Sequence, residues 1–150
     1  KIHEKITNQR NDFLHKDSRK LINESQINTY CLETLDIKRM MQNHYLAQSI
    51  GDVSWNKFIT FLSYKAEWAG KNILKIGQFE PSSKTCNVCG KINENLTLSD
   101  REWTCECGAH HDRDYLAACN IRDFAFDKQN MIGLGKPKFT LTETDNYVSQ

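Results

Sequence analysis

Several absences bound the function before any motif is read. No apolar run reaches the roughly 18 residues that a membrane helix needs, so no membrane partner is expected. The first residues carry no apolar stretch of the secretory kind. The formal charge is only +1 over 150 residues, short of the basic excess typical of an autonomous nucleic-acid binder. Lysine and arginine do gather over Lys1–Lys20 and at Lys38-Arg39, which permits a nucleic-acid partner without requiring one. Gly133-Leu-Gly135-Lys136-Pro137 lacks the lysine and hydroxyl pattern of a phosphate-binding Walker loop.

Cysteine is present in quantity. Of six cysteines, four form two close pairs, Cys86-Asn-Val-Cys89-Gly90 and Cys105-Glu-Cys107-Gly108, with positions 90–104 between them. Paired cysteines of this kind wrap one tetrahedral ion, and structural Zn2+ is the expectation. An iron–sulfur centre is the lesser alternative. The glycine after each pair suits a knuckle in which backbone amides approach sulfur. The second gap is one residue shorter and should be tighter, with His110 and His111 as alternative ligands if Cys105 and Cys107 cannot both reach. Cys31 and Cys119 lie in apolar segments and read as small buried thiols. Reduced cysteine points to a reducing, cytoplasmic compartment.

Hydrophobic residues make up 39% of the chain, enough for a core. Residues 1–25 place Ile2, Ile6, Phe13, Leu14, Leu21 and Ile22 at helical spacing, with a basic remainder. Ile27–Glu33 reads as a strand with an unusual terminal glutamate. Asp36–Ser49 reads as loop and irregular helix. Gly51-Asp52 is expected to break the chain, with Asp52 or Ser54 capping the next helix. That helix carries an apolar stripe, Trp55, Phe58, Ile59, Leu62, Ala66 and Ala69, widened by Phe61 and Trp68. The stripe is expected to be core, and Gly70 to end the helix. Asn72–Gly77 is the next strand. Strand, helix and strand in this order predict an α/β fold with two adjacent parallel strands. The expected divisions are 1–81, a ribbon insertion over 82–111, a closing helix over 112–128, and a flexible tail over 129–150.

The acids are the second candidate site. Metal-dependent phosphodiester cleavage needs hard oxygen ligands from different elements. Glu33 at a strand end and Asp114 at a helix start could supply them, with Asp112 a rival to Asp114.

The run Pro81-Ser-Ser-Lys-Thr-Cys86-Asn-Val-Cys89-Gly90, then Leu98-Ser-Asp-Arg-Glu-Trp-Thr-Cys105-Glu-Cys107-Gly108-Ala-His-His-Asp-Arg-Asp114, resembles the C-terminal part of TnpB proteins. These are insertion-sequence relatives of the type V CRISPR effectors. Leu32–Lys38, Trp55–Trp68 and Ala117–Ile121 extend the likeness over about residues 1–126. The resemblance implies a RuvC-like nuclease of RNase H fold interrupted by a zinc ribbon, present here without its first strands. It implies RNA-guided DNA cleavage with Mg2+ or Mn2+. Glu33 and Asp114 would be the second and third catalytic carboxylates, and Arg113 would lie beside the nucleic-acid backbone with Lys38 and Arg39 close to it. The family's first aspartate has no convincing substitute among Glu4, Asp12 and Asp17. The chain is therefore expected to be a fragment, inactive alone, that pairs with an N-terminal half or with itself through an open sheet edge. Leu116 stands where the family usually carries asparagine near its active site. The alternative function is a zinc-ribbon nucleic-acid-binding or regulatory module without catalysis.

Overall fold

The structure, a computed structural model, describes residues 1–45 and 47–131. The chain divides into two compact units, the first ending at Ser82 and the second beginning at Ser83.

The first unit opens with α1 (Ile2–Glu24). Its buried residues are Leu14, Ser18 and Ile22, one every four residues, so a single narrow stripe meets the core. Ile2, Ile6, Phe13 and Leu21, expected on that face, stay exposed, because the stripe admits only one residue per turn. The helix end is tied down by several donors. Tyr30 and Ser25 hydroxyls donate to the Leu21 carbonyl at 2.7 and 2.6 Å. Lys71 Nζ donates to the carbonyls of Ile22 and Ser25 at 2.6 and 2.7 Å, placing a cation where the last carbonyls lack partners.

Next come β1 (Thr29–Leu32), α2 (Ile37–Met40), α3 (Ala47–Val53), α4 (Trp55–Trp68) and β2 (Asn72–Lys75). β1 and β2 pair in parallel, Thr29 opposite Asn72 through Leu32 opposite Lys75. Parallel neighbours need a long crossover, which α2–α4 provide, as the sequence pattern predicts. Gly51 does not break the chain: α3 runs through it and contains Asp52. The break falls at Ser54, in the left-handed region at φ 51°. Ser54 makes no capping bond; its hydroxyl donates to the Gly51 carbonyl at 3.2 Å. At the other end of α4, Gly70 at φ 66° closes the helix. Lys71 N donates to Ala66 O at 2.8 Å and Gly70 N to Glu67 O at 3.1 Å, the paired bonds of a Schellman ending.

Ile22, Leu62 and Ala66 form the core of this unit, with Tyr30, Leu32, Phe58 and Ile73 packed around them. The aromatic stripe is core only in part. Trp68 is 81% exposed, Ala69 is exposed, and Phe61 stacks flat on His15 with ring centroids 3.8 Å apart.

The second unit contains β3 (Glu102–Thr104), β4 (His110–Asp112) and α5 (Arg113–Met131). β3 and β4 form an antiparallel hairpin with Trp103 opposite His111, and an isolated antiparallel bridge joins Thr85 to Ile92. α5 begins one residue later than expected, because Asp112 is still in β4, and it continues past 128 to Met131. The tail expected over 129–150 lies, from residue 132 on, outside the described residues. No helix among the described residues is long and apolar enough to cross a membrane.

Candidate metal centre and carboxylates

The two cysteine pairs are brought together by two backbone loops built alike. In the first, Gly90 N donates to Cys86 O at 2.9 Å and Cys86 N to Lys91 O at 2.8 Å. In the second, Gly108 N donates to Cys105 O at 2.9 Å and Cys105 N to Ala109 O at 2.8 Å. The shorter gap turns one residue sooner, which makes it the tighter loop. Both glycines sit at positive φ, 75° and 89°, where a side chain would be strained.

All four sulfurs lie within 4.8 Å of one another, and none is in a disulfide. Cys86 and Cys107 Sγ are 3.8 Å apart, and Cys89 and Cys105 Sγ are 3.5 Å apart. Thiolates about 2.3 Å from a tetrahedral zinc lie roughly 3.8 Å from each other, so the donor set fits that ion. Each pair has one buried and one exposed member, Cys86 and Cys105 inside, Cys89 and Cys107 outside.

Without a cation these thiols do not ionise alike. Burial raises Cys86, but amide hydrogen bonds from Cys89 and Val88, with the His111 ring, outweigh it and bring the thiol down to about 6. The Cys107 amide draws Cys105 downward, yet burial and the neighbouring cysteine sulfurs prevail and push it up to about 12. Four thiolates this close need a positive ion among them.

His111 is 8% exposed, with Nε2 3.2 Å from Cys86 Sγ and its ring 4.8 Å from Trp103. With its proton on Nε2, the ring would donate to the Cys86 sulfur and fix its orientation. His110 faces outward, with Nδ1 3.0 Å from Thr104 Oγ1. Cys105 and Cys107 both reach the cluster, so neither histidine is needed as a ligand. Lys91 Nζ lies 2.6 Å from Glu106 Oε2 and joins one cysteine loop to the other; the Glu106 carboxylate, then the thiols, hold its ammonium above the usual lysine value. Asn120 is buried and donates to the Thr85 carbonyl at 2.6 Å, fixing the backbone that leads into Cys86. The sulfur-facing role of His111 and the Asn120 clip were missed from sequence. Alternation in β4 points His111 inward, and the four-residue spacing from Leu116 puts Asn120 on the buried face of α5. Leu116, at 1% exposed, packs with Cys86, Trp103 and Cys105. Its side chain is thus a core group of the ribbon.

The two nearby aspartates are divided by role. Asp112 Oδ1 accepts the Tyr115 amide at 2.8 Å, so Asp112 caps α5. Asp114, in the first turn, is 71% exposed at its side chain and faces only arginines, Arg101 at 3.5 Å and Arg113 at 3.3 Å. Arg113 is only 15% exposed at its side chain and donates to the Leu98 carbonyl at 2.7 Å, which braces the loop before β3. In the first unit, half-buried Glu33 directly follows β1, and its carboxylate has no hydrogen bond or ion pair among the described residues. Lys38 and Arg39 are exposed on α2. Asp36 caps that helix; the Arg39 amide holds its carboxyl below the usual range.

The chain is thus of a mixed helix–strand class that carries a ribbon-like cluster of four cysteines fit to hold a metal. Residues 55–121 match the family described as Cas12f1-like, TNB domain. A Streptomyces pristinaespiralis protein described as a candidate RNA-guided DNA endonuclease is 44% identical over 121 residues, 81% of this chain and 30% of its own length. A protein of Paramecium bursaria Chlorella virus 1, described as a candidate transposase, is 37% identical over 89 residues, 59% of this chain and 20% of its own length. The solved Cas12f1–sgRNA–target DNA complex matches with a TM-score of 0.59 and 20% identity, over 79% of this chain and 35% of that one. Residues 55–121 thus match the Cas12f1-like TNB domain, and the chain is similar to the C-terminal part of TnpB- and Cas12f1-like proteins. It spans 30% of the Streptomyces relative's length.

Proposed function

We propose that this chain is the carboxylate-bearing, ribbon-containing part of an insertion-sequence-encoded, RNA-guided DNA endonuclease with a RuvC-like, RNase H fold. Its partners are then a guide RNA and target DNA. The observation that carries the reading is the division among the acids. Asp112 is committed to a helix cap, while Asp114 stays exposed. Glu33 stands without a partner among the described residues at the carboxyl end of a parallel strand, where open α/β sheets bind ligands. Hard carboxylate oxygens that cap no helix suit magnesium or manganese. Such an ion, when bound, supplies charge that stabilises the attacking and leaving oxygens of a phosphodiester. Glu33 and Asp114 would each offer carboxylate oxygens to such an ion, Arg113 keeps the Asp114 turn in place, and Lys38 and Arg39 would offer charge to the phosphate backbone.

The resemblance implies three carboxylates, and Glu33 and Asp114 are two. These residues therefore act with further polypeptide, and alone they do not cut DNA. β1 is paired on one edge only among the described residues, which leaves an edge for that polypeptide, or a second copy, to extend. The test is cleavage of labelled DNA in magnesium by residues 1–150, alone and mixed with the complementary polypeptide and guide RNA. Cleavage is expected only on mixing, lost in Glu33→Gln and in Asp114→Asn, and kept in Asp112→Asn, which preserves the cap. Cleavage by residues 1–150 alone overturns the claim of inactivity, and survival of cleavage in Glu33→Gln overturns its role. A second reading, a binding or regulatory ribbon module without catalysis, is favoured by Leu116 occupying ribbon core where the family usually has asparagine. No cleavage on mixing, with zinc bound, selects it.

A further inference from the structure

The first unit carries a second concentration of chemistry that involves neither the cysteines nor the acids. Between α1 and α4 lies a groove of about 390 Å³ whose lining includes His15, Arg19, Asn23, Tyr64, Lys65 and Trp68. No carboxylate lines it. Lys65 Nζ is already positioned, donating to His15 O at 2.7 Å and Ser18 Oγ at 2.6 Å, and lies 5.7 Å from the Tyr64 ring centroid. Burial first, and then the Arg19 charge, lower its proton affinity; no acid offsets that repulsion. Arg19 is exposed and makes no ion pair among the described residues. Trp68 stands edge-on to Tyr64, 4.8 Å between centroids, and is 81% exposed. A large indole left in water beside two uncompensated cations calls for a ligand that is both flat and anionic.

We propose that this groove binds an unpaired nucleotide of a single-stranded nucleic acid, its base stacked on Trp68 and its phosphate facing Arg19 and Lys65. A duplex keeps its base faces covered, so it cannot use the indole; a single strand presents both groups at each step. Lysine held by Ser18 and the α1 carbonyl needs no reordering to meet a phosphate. The site lies on helices that carry none of Glu33, Asp114, Lys38 or Arg39, so it stands independently of metal-dependent cleavage.

The test uses residues 1–150, zinc-loaded and without magnesium or manganese, so that failure of cleavage has no bearing on it. Short dye-labelled oligouridylate and oligothymidylate are titrated by fluorescence anisotropy over a range of salt. Trp68→Ala is expected to weaken binding about tenfold, with Trp68→Phe retaining most of it. Arg19→Ala is expected to make the slope of log affinity against log salt shallower by about 0.7, and Arg19→Lys to restore it. Both residues are exposed, so helix content by circular dichroism should not change. Preference for one strand identifies whether the groove takes RNA or DNA. Wild-type affinity and salt slope in Trp68→Ala and Arg19→Ala overturn the proposal. So does tighter binding of polyglutamate than of either oligonucleotide, which assigns the groove to an acidic protein.

Discussion

The two units reach stability by different routes. The first seals Ile22 of one helix against Leu62 and Ala66 of another, over a two-stranded parallel sheet. The second has a cluster of Cys86, Trp103, Cys105 and Leu116, two of whose four members are candidate metal ligands. Side-chain burial organises one unit. In the other, a hairpin of two three-residue strands and two backbone loops converge on sulfur. Apolar mass so small is rarely sufficient without a metal. A metal bound by the second unit would then have the role that a leucine–isoleucine seam has in the first.

The sharpest way to break this contrast is to remove the ion. Cys86→Ser, or a strong chelator, is expected to unfold the ribbon while α1, α4 and the parallel strands persist. Loss of near-ultraviolet dichroism and of zinc by atomic absorption, with most far-ultraviolet helix signal kept, checks it. Zinc in such small units contributes about 10–16 kcal/mol of apparent binding energy, so no side-chain change in the first unit should match its effect. Leu62→Ala is the complementary cut: at 1% exposed it should cost the first unit about 2–5 kcal/mol in a urea titration, with zinc stoichiometry unchanged.

His111→Ala comes next. Removing the donor to Cys86 should weaken zinc about 10- to 100-fold in a competition assay with a chromophoric chelator, without abolishing the fold. Glutamine at this position should recover part of the affinity.

The smallest effect is a pH dependence. The amide, then the hydroxyl, of Thr97 hold the Asp100 carboxyl below its usual range, at 2.7 and 2.8 Å. A carboxyl depressed on folding contributes stability that is complete above the ordinary carboxylate pKa near 4 and is lost as pH falls through the depressed value. Asp100→Asn should flatten that acid limb of the ribbon's unfolding curve and leave the neutral-pH behaviour of the first unit as it was.

How far the sequence reads ahead follows the same division. Cysteine spacing is a covalent constraint, and it marks the four residues whose sulfurs the fold brings together. The strand–helix–strand order was equally plain, because Gly70 and the β-branched runs punctuate it. The chain break at Ser54 was not legible, since Gly51 is the residue that propensity condemns and the helix tolerates it at modest cost. Trp68 read as core because periodicity marks a face without saying how wide the neighbour covering it is. Asp112 and Asp114 could not be told apart by spacing. One amide hydrogen bond separates a helix cap from a carboxylate that faces arginines, and spacing does not show which residue receives it. His111 was seen as a spare ligand because sequence shows that a histidine is near cysteine, but not which atom meets sulfur.

The uneven exposure of the four cysteines also sets an order of events. Cys89 and Cys107 face solvent while Cys86 and Cys105 are enclosed. An incoming thiol, chelator or peroxide meets the outer pair first, and the inner pair stays shielded behind Trp103 and Leu116. If the cluster holds an ion, exchange would therefore begin at Cys89 and Cys107, the two sulfurs that solvent reaches. Attack on the inner pair would also disturb the packing of Trp103 and Leu116, which the outer pair does not share.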